Sequence, residues 1–151
     1  MSRKFAELID GLEFFKDFSF RELETLGGYF SHRDVAQGEI VFNEGDPGRN
    51  LLILLDGKMS IYKSGESGRY LLSYEGRGRI VGEMALLDHE LRSASCIAET
   101  PCELLSIDQT GLDRMALEHP SLAYLFMYSL ARLLSKRLRR TSGILAEHLV
   151  G

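Results

Sequence analysis

The 151-residue sequence contains no tryptophan, only three prolines and only two cysteines, Cys96 and Cys102. Two cysteines are too few for a disulfide scaffold, and their spacing fits no common zinc motif. We therefore expect two reduced, partly buried thiols in a cytoplasmic protein. The four histidines stand singly, with no His-x-His or His-x-x-x-His pair, so the sequence predicts no metal site and no metal cofactor.

The sequence also lacks a long apolar run and an excess of positive charge. No stretch approaches the ~18–20 apolar residues that cross a bilayer, so we predict no membrane insertion. The N-terminus has acidic residues among its apolar ones and no cleavage site, unlike a secretory signal. The formal net charge is −4, whereas nucleic acids favour clustered positive charge.

Two function classes are not expected from the residues given. After the long C-terminal helix the sequence leaves too few residues for a helix-turn-helix module, so we predict no direct DNA binding. A metal enzyme of the cupin type needs clustered histidine and glutamate ligands, which are absent. No Ser/His/Asp or Cys/His set has a supporting local context either, so the chain is predicted not to be an enzyme.

What the sequence does contain is one domain, residues 1–151, with three patterns of apolar residues. Residues 1–32 have apolar residues at helical spacing, and residues 109–151 return to that spacing. In residues 33–108, short runs of Val, Ile, Leu and Tyr alternate with Gly, Asp and Asn. This predicts a mainly β (α+β) fold: a jelly-roll-like double-stranded β-helix, or β-roll, of seven or eight strands, with N-terminal helices and a long C-terminal helix.

Local signals predict where several elements begin and end. Ser19 and Glu22 have the spacing of a capping box at a helix N-terminus. Asp56-Gly57 lies between two apolar runs and predicts a hairpin turn. His119-Pro120 breaks the C-terminal helical pattern, and Gly143 is expected to end or bend the long helix that follows.

Residues 80–95 combine the residue types that bind a phosphate ester of a sugar. Gly82 lets the backbone approach a ligand closely, and Glu83–Leu87 can form a helical turn whose N–H groups face an anion. The planar guanidinium of Arg92 can hold a phosphate at two points, and a carboxylate beside it can accept hydrogen bonds from ribose hydroxyls. The segment therefore predicts a clamp for a nucleotide monophosphate.

At these residues the sequence resembles the cyclic nucleotide-binding domain family. The phosphate-binding cassette of that family reads Gly-Glu-x-Ala-Leu, a variable loop, then Arg-Ser/Ala/Thr-Ala, and the resemblance covers about residues 5–140. It implies that Glu83 holds the ribose 2′-OH and that Arg92 pairs with the cyclic phosphate of cAMP or cGMP, with no cofactor. The remaining ligand-binding positions that it implies are Gly82, Met84, Ala85, Ser93 and Ala94.

Three details of the site remain open on sequence grounds. The loop before Arg92 contains Glu90 where many family members have small residues, and we expect its side chain to face solvent. The residue that contacts the base is either Arg137 or Thr141. Because a buried arginine needs a charged partner, Arg92 is expected to pair with Glu83 when no ligand is bound.

The long C-terminal helix is the element from which we predict a subunit partner. Its apolar stripe over 122–138 is wide for one β-roll to cover, so we expect a homodimer through this helix, whereas the basic residues 136–140 are interpreted as a solvated helix end. The leading hypothesis is a cyclic nucleotide sensor whose C-terminal helix caps the ligand and relays binding to a partner or second subunit. The alternative is a degenerate fold that binds no ligand and serves as a dimerisation or interaction module.

Overall fold

The computed structural model describes the backbone of residues 2–150 and the side chains of residues 4–144. Within this part of the chain there are eight strands and five α-helices. The strands are β1 Ser31–Val35, β2 Ile40–Phe42, β3 Asn50–Asp56, β4 Met59–Gly65, β5 Gly68–Glu75, β6 Ile80–Val81, β7 Ser95–Ala98 and β8 Cys102–Asp108. The helices are α1 Ser2–Ile9, α2 Phe20–Leu26, α3 Glu83–Asp88, α4 Gln109–Glu118 and α5 Pro120–Val150.

The strands form two four-stranded antiparallel sheets, in the orders β1-β8-β3-β6 and β2-β7-β4-β5. Consecutive strands therefore alternate between sheets over much of the chain, which is the topology of a β-roll. The predicted β-roll with flanking helices is confirmed. Its first strand begins at Ser31, slightly before the expected boundary at residue 33.

Strand β3 explains how the two sheets and the helices share one core. Its run Leu51–Leu55 is apolar without alternation, because both faces of the strand are buried. Leu52 and Leu54 pack between the sheets, while Leu51, Ile53 and Leu55 pack against the helices. Side chains alternate across a strand, so one continuous run supplies both layers.

Capping residues account for the ends of the helices. Ser19 and Glu22 form the predicted capping box at α2, and the side chain of Asp108 accepts a hydrogen bond from the Gly111 N–H at the start of α4. The predicted break at His119-Pro120 is also confirmed, since α4 ends at Glu118 and α5 begins at Pro120. None of the helices, over the residues described, is long and apolar enough to traverse a membrane.

The hairpin predicted at Asp56-Gly57 is wrong. Strands β3 and β4, which flank this turn, lie in different sheets and do not pair. Gly57 does adopt the positive φ of +103° that the dipeptide favours, but the Lys58 N–H donates to Thr100 Oγ1, so the turn docks on the β7–β8 connection. The dipeptide specifies a tight turn, and which strand becomes the partner depends on long-range packing.

Gly143 does not end the long helix, because α5 continues to Val150, and a bend at this glycine stays a prediction. A glycine ends a helix by adopting a left-handed conformation after the last turn. Gly143 has no positive φ, and a Cβ there would meet nothing within 4 Å. It is therefore an ordinary, if unfavourable, helical position.

Both cysteines are free and buried, Cys96 at 0% and Cys102 at 5% exposure. Burial raises the pKa of the Cys96 thiol from its ordinary value of 9.0 to about 12. We expect Cys96 to resist iodoacetamide at pH 8 in the folded protein and to react once urea unfolds it, as peptide mass spectrometry would show. Equal rates in both states would contradict this.

Because the folded state holds the proton more tightly, this thiol's contribution to stability falls as pH rises from about 9 to about 12.

Candidate functional site

A cavity of about 280 Å³ lies between the second sheet, the β6–α3 connection and helix α5. Its volume is near the lower end, about 300 Å³, of small-molecule sites in proteins. All seven ligand-binding positions taken from the sequence lie in its lining: Gly82, Glu83, Met84, Ala85, Arg92, Ser93 and Ala94. Folding therefore brings the two halves of residues 80–95 to one cavity.

Two glycines allow the chain to pack closely around Arg92. Gly82 precedes α3 with a φ of +78°, and a Cβ there would lie 2.2 Å from Arg92 Nη1. Gly48 lies on the β2–β3 connection, and a Cβ there would lie 2.2 Å from the Ala85 Cβ. Neither approach leaves room for a side chain, so both glycines are needed to seat α3 against the arginine.

Arg92 is 6% exposed and its contacts fix it in one place. Nη1 donates to the Gly82 carbonyl at 3.1 Å and Nη2 to the Asn50 carbonyl at 3.0 Å, while the guanidinium carbon lies 4.4 Å from the Phe42 ring centre. The Arg92 N–H also donates to the Asp46 carbonyl at 2.8 Å. Burial lowers the pKa of this guanidinium, with Cys96, Glu83 and Asp46 acting in the opposite direction.

Glu83, also 6% exposed, is paired from helix α5 rather than from Arg92. Arg137 donates through Nη1 to Glu83 Oε1 and through Nη2 to the Ile80 carbonyl at 2.8 Å. Burial lowers the pKa of Arg137, and the charge of Glu83 opposes that shift. The long helix thus contacts the carboxylate that the sequence assigns to the ribose.

This pairing corrects two expectations. Arg92 does not pair with Glu83, and over the described side chains its hydrogen-bond partners are backbone carbonyls and its ring partner is Phe42. The carbonyl dipoles and the aromatic face replace the carboxylate that burial was expected to require. Arg137, in turn, is not part of a solvated helix end, since its side chain is only 23% exposed.

The remaining candidates differ in position. Glu90 is exposed, as expected, and Ser93 is exposed at the rim of the cavity. Of the two base-contact candidates, the structure brings Arg137 to the cavity and leaves Thr141 outside its lining. Thr141 is exposed and its hydroxyl donates to the Arg137 carbonyl one turn earlier.

The known proteins similar to this chain carry the same kind of domain. The family model described as "Cyclic nucleotide-binding domain" matches residues 32–119, more than half of the chain. The chain belongs to the cyclic nucleotide-binding domain family. It is 32% identical over 130 residues to the "Cyclic AMP receptor protein" of Thermus thermophilus, a match that covers 85% of this chain and 58% of that protein.

Two further matches agree with this assignment. The "CRP-like cAMP-activated global transcriptional regulator" of Mycobacterium tuberculosis is 33% identical over 115 residues, 76% of this chain and 50% of that protein. The crystal structure of a cyclic nucleotide-binding domain from Methylobacillus flagellatus superposes with a TM-score of 0.84 at 29% identity, over 97% of this chain and 83% of that one. The chain thus spans between half and three-fifths of the curated relatives named here.

Three residues of this cyclic nucleotide-binding domain were missed from the sequence: Phe42, Gly48 and Asn50. The Phe42 ring packs on the Arg92 guanidinium, and the Asn50 carbonyl accepts a hydrogen bond from it. Gly48 has no side chain and so leaves room for the Ala85 methyl group. All three precede the cassette by more than thirty residues. Gly48 ends the turn-forming sequence Gly-Asp-Pro-Gly, and the other two lie in no pattern that indicates a site.

We expect Arg137→Met to lower the free energy of unfolding by about 1–3 kcal/mol, since it leaves the buried Glu83 carboxylate without its cation. The methionine keeps most of the apolar contacts of the arginine stem. Urea unfolding of both proteins measures the difference. Arg140→Met, an exposed position on the same helix, is the matched control and should change stability by under about 0.5 kcal/mol. Equal losses in the two variants would refute a stabilising Glu83–Arg137 pair.

Proposed function

We propose that this domain binds cAMP or cGMP in the cavity and transmits binding through helix α5. The observation that carries the proposal is a buried, prepositioned arginine and a buried glutamate in the lining of one cavity, Arg92 and Glu83. A cyclic nucleotide presents one phosphate charge and one free ribose 2′-hydroxyl, and these two side chains match that pair of groups.

Arg92 is the proposed phosphate ligand. Its Nε is buried and has no hydrogen-bond partner among the described residues, so the guanidinium has a free donor. Its other contacts are neutral carbonyls and a ring, and none of them neutralises its charge. A phosphate anion would supply the missing countercharge in a site of low dielectric, where such a pair is strong.

Glu83 is the proposed ribose ligand. Arg137 holds Oε1, which orients the carboxylate and leaves Oε2 to accept from the 2′-hydroxyl. The contact to α5 also supplies the relay, because any movement of Glu83 on binding would displace Arg137 and the helix that carries it. A ligand shifts the position of α5 only by its difference in affinity for the two positions.

Calorimetric titration with cAMP and with cGMP tests the proposal. The name of the Thermus thermophilus relative makes cAMP the first ligand to try. We expect saturable binding of at least one of them at one site per chain, and binding by neither would refute the proposal. Comparing the two dissociation constants establishes which purine is preferred.

A second candidate function is an interaction module that binds no nucleotide. One observation favours it: Glu83 already has a cation partner, so the cavity's carboxylate is satisfied without a ligand. The melting temperature separates the two functions, because a ligand in large excess raises it by mass action. An unchanged melting temperature with millimolar cAMP, cGMP and cyclic dinucleotides would support the interaction module.

The partner we propose for α5 is a second copy of the chain. Tyr124, Met127 and Tyr128 are exposed on this helix, and the two tyrosine rings lie 6.0 Å apart. Exposed aromatic residues on one helix face are typical of subunit contacts. Analytical ultracentrifugation of the wild type and of Tyr128→Glu measures the monomer–dimer equilibrium, and a monomeric wild type would contradict this partner.

Our other expectations about the chain stay predictions. We propose that the domain is not catalytic, and unchanged cAMP after prolonged incubation would support this. We propose that these residues contact no DNA directly, although the Mycobacterium tuberculosis relative is named a transcriptional regulator. The cytoplasmic location rests on the two free thiols alone.

A further inference from the structure

A second cavity of about 330 Å³ adjoins the cyclic nucleotide cavity, and the two share part of their lining: Glu75, Arg79, Ile80 and Arg137. One face of α5 forms a wall, through residues at positions 129, 132, 133, 136 and 137. The short helical turn Glu13–Phe15 and the β5–β6 connection, residues 76–79, supply most of the remaining lining. Three segments distant in sequence thus meet here.

Positive charge is concentrated in this cavity, although the whole chain carries a net charge of −4. Six cationic side chains but only two carboxylates, Glu13 and Glu75, line it. The six cations are Lys16, Arg77, Arg79, Arg132, Lys136 and Arg137. Four of the six are arginines, whose guanidinium groups favour oxyanions.

Four of these cations have a carboxylate partner, and Arg77 and Lys136 have none within the part of the chain described. The four pairs are Lys16–Glu13, Arg79–Glu75, Arg132–Asp17 and Arg137–Glu83. Arg77 donates to two backbone carbonyls, Leu55 O at 2.8 Å and Leu8 O at 3.2 Å, and has no carboxylate partner among the described side chains. Arg79 Nε lies 3.1 Å from Glu75 Oε2 but forms no aligned hydrogen bond. No carboxylate within the described residues pairs with Lys136.

Several buried polar atoms of this lining lack a hydrogen-bond partner among the described residues. Ser129 is 3% exposed, and its hydroxyl has no partner within the described part of the chain. Arg79 Nε and Arg137 Nε are in the same condition. Arg79 and Arg137 line both cavities, whereas Ser129 lines only this one, and buried polar groups normally have partners.

We propose that this cavity is a second anion site, which binds a small phosphate-bearing ligand separately from the cyclic nucleotide cavity. The phosphate oxygens would accept from guanidinium and ammonium groups that have no carboxylate partner and from the Ser129 hydroxyl. Several positive donors around one cavity favour an anion of more than one charge, such as a diphosphate or a phosphomonoester. This inference does not depend on whether the first cavity binds a cyclic nucleotide.

Calorimetry with inorganic phosphate and with pyrophosphate, at constant ionic strength set by chloride, tests the site. We expect saturable binding, tighter for pyrophosphate than for phosphate. Lys136→Gln should weaken pyrophosphate binding about tenfold, because it removes one charge-assisted contact. Ser129→Ala removes one neutral hydroxyl and should weaken it about threefold.

Two controls separate this site from other sources of binding. Arg140→Gln changes the same charge on the same helix outside the cavity, and Arg92→Lys alters only the cyclic nucleotide cavity. Both should leave pyrophosphate affinity within about twofold of the wild type. No saturable binding, binding insensitive to Lys136→Gln and Ser129→Ala, or binding lost in Arg92→Lys would each overturn the proposal.

Discussion

Arg92→Ala is expected to weaken cyclic nucleotide binding by at least about a hundredfold. Removing one member of a buried, hydrogen-bonded charge pair costs about 3 kcal/mol, and each 1.4 kcal/mol is a factor of ten in the dissociation constant. We expect the loss in binding because the buried Arg92, 6% exposed, forms no hydrogen bond to a carboxylate in the described part of the domain. The phosphate of the nucleotide would therefore supply its countercharge. Calorimetric titration of both proteins with the preferred nucleotide measures it.

Stability separates a lost ligand contact from a damaged fold. Arg92→Ala also removes the donors to the Gly82 and Asn50 carbonyls, so the unfolding curve must be measured alongside. Arg92→Lys keeps the charge but not the planar fork, and we expect it to recover part of the affinity. Full affinity in the folded Arg92→Ala protein would show that Arg92 is not a ligand of the phosphate.

Gly82→Ala is expected to damage both folding and binding. The left-handed φ of +78° costs a residue with a Cβ about 1–2 kcal/mol. The new methyl group would also lie 2.2 Å from Arg92 Nη1 and 3.0 Å from the Asn50 carbonyl. The guanidinium must therefore leave its position, and we expect nucleotide affinity to fall at least about tenfold.

Gly38→Ala is the matched control, because it has the same backbone cost without the steric conflict. Gly38 has a φ of +83°, and a Cβ there would meet nothing within 4 Å. Urea unfolding should show a loss of about 1–2 kcal/mol for Gly38→Ala and a larger one for Gly82→Ala. Nucleotide affinity should be unchanged in Gly38→Ala, and equal affinity losses in both variants would contradict a specific role for Gly82.

The cassette was readable from the sequence because its chemistry is local. Gly82, Glu83 and Arg92 lie within eleven residues, and the structure places all three in the lining of one cavity. Phe42 and Asn50 were not readable, since their roles depend on where β2 and β3 pass the Arg92 guanidinium. No local pattern distinguishes a phenylalanine under an arginine from any other strand residue.

Turn signals show the same division between local and long-range information. Asp56-Gly57 specified a tight turn, but the pairing of β3 with β8 and of β4 with β5 decided that this turn joins two sheets. In α5, the helical spacing could be read from neighbouring residues, whereas the role of Arg137 depends on contacts with distant parts of the chain. Its place in a basic run suggested a solvated position, yet the packing of α5 brings it to Glu83.

By itself the sequence determined the family, the order of helices and strands, and the two charged residues of the cassette. Spacing, capping and motif chemistry act over a few residues and are written directly in the chain. Only the tertiary structure decided which groups contact these two side chains: Glu83 is paired by Arg137, and Arg92 is held by two carbonyls and a ring. Apart from the Gly82 carbonyl, these partners lie 42 to 54 residues apart in the chain, and packing sets the distances between them.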